Sequence, residues 1–167
     1  MRGFTLLAGG MLIGVVIGTT APASLAQGAQ PDVRLNHVAI AVPNVADALT
    51  WYTDKMGFRE VMRQTSPEGK LTSVYVQISR DTFLEIAEAN AQRPAGLNHY
   101  GLEVPDIKAA VAAFRQRGAT STDAADKPSA YSGGYLANVT DLNGLRIELS
   151  YQPADGKLRK ATEAWKR

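Results

Sequence analysis

The stretch Leu35-Asn36-His37, running on to Val42-Pro43, returns sixty-two residues later as Leu97-Asn98-His99, running on to Val104-Pro105. At the same offset Ala48 matches Ala110 and Tyr52 matches Phe114. One residue further on, Phe83-Leu84-Glu85-Ile86 is answered by Arg146-Ile147-Glu148-Leu149. Similarity at a fixed period marks a duplicated supersecondary unit whose copies bury a shared core. Two modules are therefore expected, spanning about residues 33–88 and 96–152.

Each module reads as strand, helix and three strands. Leu35–Val42 alternates as a strand, and Asn44 stands as the cap of a helix with Val45, Ala48, Leu49, Tyr52 and Met56 at helical spacing. Gly57 closes that helix, as glycine does just past a C-terminus. Strands then follow at Phe58–Gln64, Leu71–Ile78 and Thr82–Ala87. In the second module Leu97–Val104 is a strand and Asp106 caps a helix ending near Arg117-Gly118. Strands near Ala119–Thr122, Tyr135–Thr140 and Leu145–Tyr151 complete it, with a Pro/Gly-bearing loop over 123–134. The expected fold class is α+β, with two tandem βαβββ modules.

The remaining segments flank this unit. Met1-Arg2 precedes an uncharged apolar run from Phe4 to Gly18, and small residues stand at Ser24 and Ala26. That order predicts a secretory signal peptide over 1–26, and hence a periplasmic or secreted protein spanning 27–167. Beyond Ala154, Lys157, Arg159, Lys160, Lys166 and Arg167 make a basic tail, expected to be solvated or a short helix. Between Gln27 and Ala154 carboxylates outnumber basic groups, so no basic stripe suits nucleic acid. No stable membrane association is expected once the leader is removed. With no cysteine in the chain, a disulfide scaffold, a cysteine-ligated zinc and a thiol nucleophile are excluded.

Alternation along the strands sorts the chemistry. His37 shares a face with Ala39 and Ala41, opposite Val38, Ile40 and Val42; His99 lies with Gly101 and Glu103, opposite Tyr100, Leu102 and Val104. Glu85 and Glu148 likewise stand opposite apolar neighbours. The chain's two histidines thus occupy equivalent repeat positions and are matched by two equivalent glutamates. Two imidazoles and two carboxylates make a donor set for Zn, Ni or Co, or for Fe(II) or Mn. Tyr75, Gln77 and Arg146 fall on the same inner face, Glu103 lies just beyond Gly101, and Tyr131 sits on the 123–134 loop. These five are the candidate substrate contacts.

The paired modules, the Leu-Asn-His openings and the Phe-Leu-Glu-Ile and Ile-Glu-Leu closings resemble the vicinal oxygen chelate superfamily. That superfamily includes glyoxalase I, bleomycin- and fosfomycin-resistance proteins, methylmalonyl-CoA epimerase and type I extradiol dioxygenases. The resemblance implies that the α+β modules form a curved mixed sheet around a metal-binding cavity, with one divalent metal held by His37, Glu85, His99 and Glu148, the ligand set most like that of glyoxalase I. It implies a lyase or isomerase that stabilises an enediolate of a small vicinal-oxygen substrate, with Glu148 as base and Glu85 in the complementary role. Ala41 and Ala89 stand where glyoxalase I carries the arginine and asparagine of its glutathione site. The same resemblance admits an Fe(II)/Mn(II) dioxygenase using His37, His99 and Glu148, or a non-catalytic binder of an antibiotic. It also implies a homodimer.

Overall fold

The computed structural model describes residues 32–166. Their elements run β1 (Arg34–Val42), α1 (Val45–Met56), β2 (Arg59–Thr65), β3 (Leu71–Ser79), β4 (Thr82–Glu88), β5 (Gly96–Glu103), α2 (Ile107–Gln116), β6 (Thr120–Ser121), β7 (Tyr135–Thr140), β8 (Arg146–Tyr151) and α3 (Lys157–Glu163). The fold is α+β, as the residue pattern predicts. Helix α1 starts where the Asn44 side chain accepts from the backbone N–H of Ala46 and Asp47, and it stops at Gly57 in the left-handed region. Asp106 accepts from Ala109 N–H at the head of α2.

The eight strands form one curved mixed sheet in the order β2-β3-β4-β1-β5-β8-β7-β6. Within each module the first strand pairs in parallel with the last, β1 with β4 and β5 with β8. The modules meet where β1 runs antiparallel to β5. Both histidine strands therefore lie side by side at the centre of the sheet, which no single-strand pattern dictates.

Helices α1 and α2 cover one face through separate cores. Val45 packs with Val74, Val76, Leu84 and Ile86; Ile107, Ala110 and Val111 pack with Val104, Ala137, Val139 and Leu149. Burying such aliphatic side chains contributes about 1.5–3 kcal/mol each before conformational entropy is subtracted. A third cluster joins Met62, Tyr75 and Phe83 to Leu158 and Ala161 of α3. The basic tail is thus a docked helix over 157–163, with Leu158 only 2% exposed. Its apolar residues at i and i+3 anchor it, Lys157 and Lys160 face outward, and Arg159 turns in to Glu103. Among the described residues no helix is long and apolar enough to cross a membrane.

Candidate metal centre

The pairing of β1 with β5 sets His37 opposite Gly101 and His99 opposite Ala39. The outer pairings set Ala39 opposite Glu85 and Gly101 opposite Glu148. Each histidine of one module thereby faces a small residue of the other, with a glutamate one strand further out. Gly101 is required for this approach: a Cβ there would lie 2.0 Å from His37 Cε1.

The four side chains converge. His37 Nε2 and His99 Nε2 are 3.1 Å apart, and Glu85 Oε2 lies 3.8 Å and 3.5 Å from them. Glu148 approaches to 3.7 Å of His37 Nε2 and 3.9 Å of His99 Nε2. The donor atoms of His37, Glu85 and His99 all lie within 4.8 Å of one another and can hold a metal ion; Glu148 stands at the edge of this triplet. A metal with bonds of about 2.1 Å separates neighbouring donors by about 3.0–3.4 Å, close to what is observed. The set also fits chemically, because imidazole nitrogens turned on one another at 3.1 Å call for a cation or a proton between them.

Asn36 and Asn98, absent from the sequence-based candidates, hold the rings. Asn36 Oδ1 is 3.0 Å from His37 Nδ1, and Asn98 Oδ1 is 2.8 Å from His99 Nδ1. Each asparagine is the extra residue of a β-bulge, since the register slips between Leu35 and His37 on β1 and again at the step that contains Asn98 on β5. A bulge turns two successive side chains to the same side. The signal was present in the repeated Asn-His pair, but strict alternation assigns asparagine to the opposite face.

Electrostatics follow from enclosure. Burial, reinforced by the charge of Arg146, pushes His37 down to about 4 and His99 down to about 3, so both rings are neutral near pH 7 and free to ligate. Burial raises the Glu85 carboxyl, opposed by the hydrogen bond from Tyr75 and the charges of Arg146 and Arg93. Glu148 is raised to about 7 by burial and by Glu85, against the pull of Arg146.

The five substrate candidates separate. Tyr75 borders the cluster: its hydroxyl donates to Glu85 Oε2 at 3.0 Å and its ring lies 5.5 Å from His37. Tyr131 reaches across from the 123–134 loop, with its ring 5.7 Å from Tyr75 and its hydroxyl on Ser73 Oγ. Arg146 lies 3.6 Å from Glu148 and 2.5 Å from His99 Nδ1, with its side chain 42% exposed. Gln77 is a correction. Its amide donates to the carbonyls of Arg80 and Ala161 and accepts from Arg59, so it anchors α3. Glu103 is another: it is buried behind His37, bound to Arg34, Arg159 and Asn36 rather than facing the cluster. Surface clefts of about 370 and 560 Å³ open elsewhere, around Arg34 and Arg159 and around Ile107 and Tyr135.

Residues 34–149 match the family described as the glyoxalase/bleomycin resistance protein/dioxygenase superfamily. The chain belongs to that superfamily. An ethylmalonyl-CoA/methylmalonyl-CoA epimerase of Cereibacter sphaeroides is 31% identical over 129 residues, covering 70% of this chain and 96% of the relative. The mitochondrial methylmalonyl-CoA epimerase of Homo sapiens is 27% identical over 128 residues, covering 70% of this chain and 72% of its own. A solved methylmalonyl-CoA epimerase superposes with a TM-score of 0.58 at 26% identity, covering 71% of this chain and 94% of that one.

These relatives adjust two expectations. Superfamily membership stands, but the three relatives are epimerases by name, so a glyoxalase I type of lyase has no specific support from them. The export reading is corrected: the human relative is named as a mitochondrial enzyme and no relative reported above is named as exported, so the signal-peptide, periplasmic and secreted assignment is not supported. Residues 1–26, on which it rested, lie outside the described residues.

Proposed function

We propose that the chain is a divalent-metal-dependent isomerase that removes and returns a proton on the carbon next to a carbonyl. One observation carries this reading: Glu148 stands 3.7 Å from His37 Nε2 and 3.9 Å from His99 Nε2, beside the His37–Glu85–His99 cluster and outside its tightest triplet. Burial raises that carboxyl in the metal-free protein, which suits it to take up a proton near neutral pH. His37, Glu85 and His99 would hold Zn, Ni or Co, with Glu148 as a fourth, exchangeable donor. The ion supplies Lewis-acid stabilisation of the oxygen charge that grows as the proton leaves.

The chain's own groups do the rest. Glu148 takes the proton from substrate carbon, and Glu85 approaches the same point from the other module. Epimerisation then requires a proton delivered to the opposite face of the carbon, and Glu85 would deliver it only when protonated and released from the metal, its proton being renewed from solvent. Tyr75 holds Glu85 by its hydrogen bond, and Tyr75 with Tyr131 walls the cluster on one side. Arg146, half-exposed beside His99 and Glu148, suits an anionic substrate group such as a carboxylate. The names of the relatives direct the first substrate tried: a 2-carboxyacyl thioester such as methylmalonyl-CoA. All four donors come from one chain, so a two-fold dimer, which we also propose, would carry one complete site per subunit.

The test is proton exchange in D2O. Full chain reconstituted with Co(II), Ni(II) or Zn(II) is incubated with methylmalonyl-CoA, and deuterium at the α carbon is followed by NMR. Exchange that is abolished by chelator and by Glu148→Gln is the expected result. Exchange seen only with a 2-oxoaldehyde–thiol adduct would move the assignment to a glyoxalase-type lyase. No exchange with either substrate refutes the proton-transfer reading.

A further inference from the structure

The two halves of the cluster are supported differently although the sequence repeats. Behind His37 runs an unbroken chain of hydrogen bonds, buried at Asn36 and reaching the surface at its arginines. His37 Nδ1 is 3.0 Å from Asn36 Oδ1, Asn36 Nδ2 donates to Glu103 Oε2 at 3.2 Å, and Glu103 Oε1 accepts from Arg34 at 2.8 Å and Arg159 at 2.6 Å. The carboxylate settles the orientation of the amide. It only accepts, so the Asn36 nitrogen faces Glu103 and its oxygen faces the ring. His37 must then carry its proton on Nδ1, leaving the Nε2 lone pair aimed at the cluster.

Behind His99 the chain is broken. The repeat equivalent of Glu103 is Ala41, so no carboxylate stands behind Asn98. Arg146 instead donates to Asn98 Oδ1 at 3.0 Å and crowds His99 Nδ1 at 2.5 Å. A cation competing for the same oxygen draws charge away from the ring, whereas a carboxylate behind an amide pushes charge toward it. Arg159 belongs to α3, which lies beyond the family-matched residues 34–149.

We propose that Asn36 and Glu103, clamped by Arg159 of α3, are positioning residues that make His37 the dominant metal donor and tie the C-terminal helix to the metal centre. This rests on the metal reading above. His99 is then the weaker and more adjustable donor, beside the exposed guanidinium where substrate would enter.

The test is metal binding, not turnover. Co(II) and Zn(II) affinities of the full chain are measured by chelator competition, with the Co(II) absorption spectrum as a record of ligand geometry. Asn36→Ala and Glu103→Gln should weaken binding by about 10–100-fold and shift the Co(II) bands. Asn98→Ala should cost about threefold or less on the same reasoning. Arg159→Gln should fall between wild type and Glu103→Gln because Arg34 shares the carboxylate, and Arg159→Lys should restore binding. Affinities of Asn36→Ala and Glu103→Gln within twofold of wild type, or an equal loss in Asn98→Ala, overturn the proposal. Should Asn36→Ala not fold, Glu103→Gln carries the comparison alone. Wild type that binds neither ion refutes the metal reading itself.

Discussion

Replacing Gly101 by alanine probes the tightest position among the described glycines. The added Cβ would lie 2.0 Å from His37 Cε1, 2.3 Å from Nδ1 and 2.7 Å from Nε2, where ordinary contact begins near 3.4 Å. The ring must therefore retreat by about 1.4 Å, or the central strands must part. Retreat is blocked, because His37 is 1% exposed, bonded to Asn36 and packed against Tyr75. Overpacking of this kind costs about 1–3 kcal/mol. At about 2–4 °C per kcal/mol for a chain of this size, Tm should drop by about 2–12 °C. Metal affinity should fall further, since donor placement is tolerated only within about 0.2 Å, and a loss of tenfold or more is expected. The assay is calorimetry of the metal-free protein together with Co(II) titration. Unchanged Tm and unchanged Co(II) affinity would refute the claim that this glycine exists to seat His37.

Other perturbations report on separate parts of the site. Tyr75→Phe removes the 3.0 Å hydrogen bond to Glu85 and should weaken Zn(II) binding by about fivefold, measured by chelator competition. Leu158→Ala should cost about 2–4 kcal/mol in urea denaturation, because the side chain is enclosed by Met62, Tyr75 and Phe83; a value near zero would mean that α3 is not docked. In metal-free protein Glu148, raised to about 7, contributes stability that is present below its unfolded value and lost as pH rises through 7. His37 and His99, lowered to about 4 and 3, contribute stability that is present above their unfolded value and lost as pH falls through those values. Tm against pH should therefore peak at about pH 5–6.5, and added metal should reverse the decline above pH 7; a flat profile would contradict the burial argument.

Much of this protein is written locally. Asn44 and Gly57 delimit α1 because capping and left-handed closure depend on residues a few positions apart. His37, Glu85, His99 and Glu148 could be placed on one face because period-two alternation holds over each strand taken alone. The repeat supplied the pairing of modules for the same reason: equal segments fold into equal units.

Other features depend on partners distant in the chain. Asn36 and Asn98 turn toward the histidines only because the β1–β5 pairing slips twice, and a bulge is a property of two strands together. Glu103 faces Asn36 and the arginines rather than the His–Glu cluster because that register brings it beside Arg34. Gln77 serves α3, and α3 docks, because Leu158 and Ala161 find an apolar floor of Met62, Tyr75 and Phe83 assembled from three other strands. The sequence by itself determined which donors exist and which way each strand turns them. Tertiary structure decided how close they come and what stands behind them, because contact between residues far apart in the chain is fixed by register and packing, not by spacing.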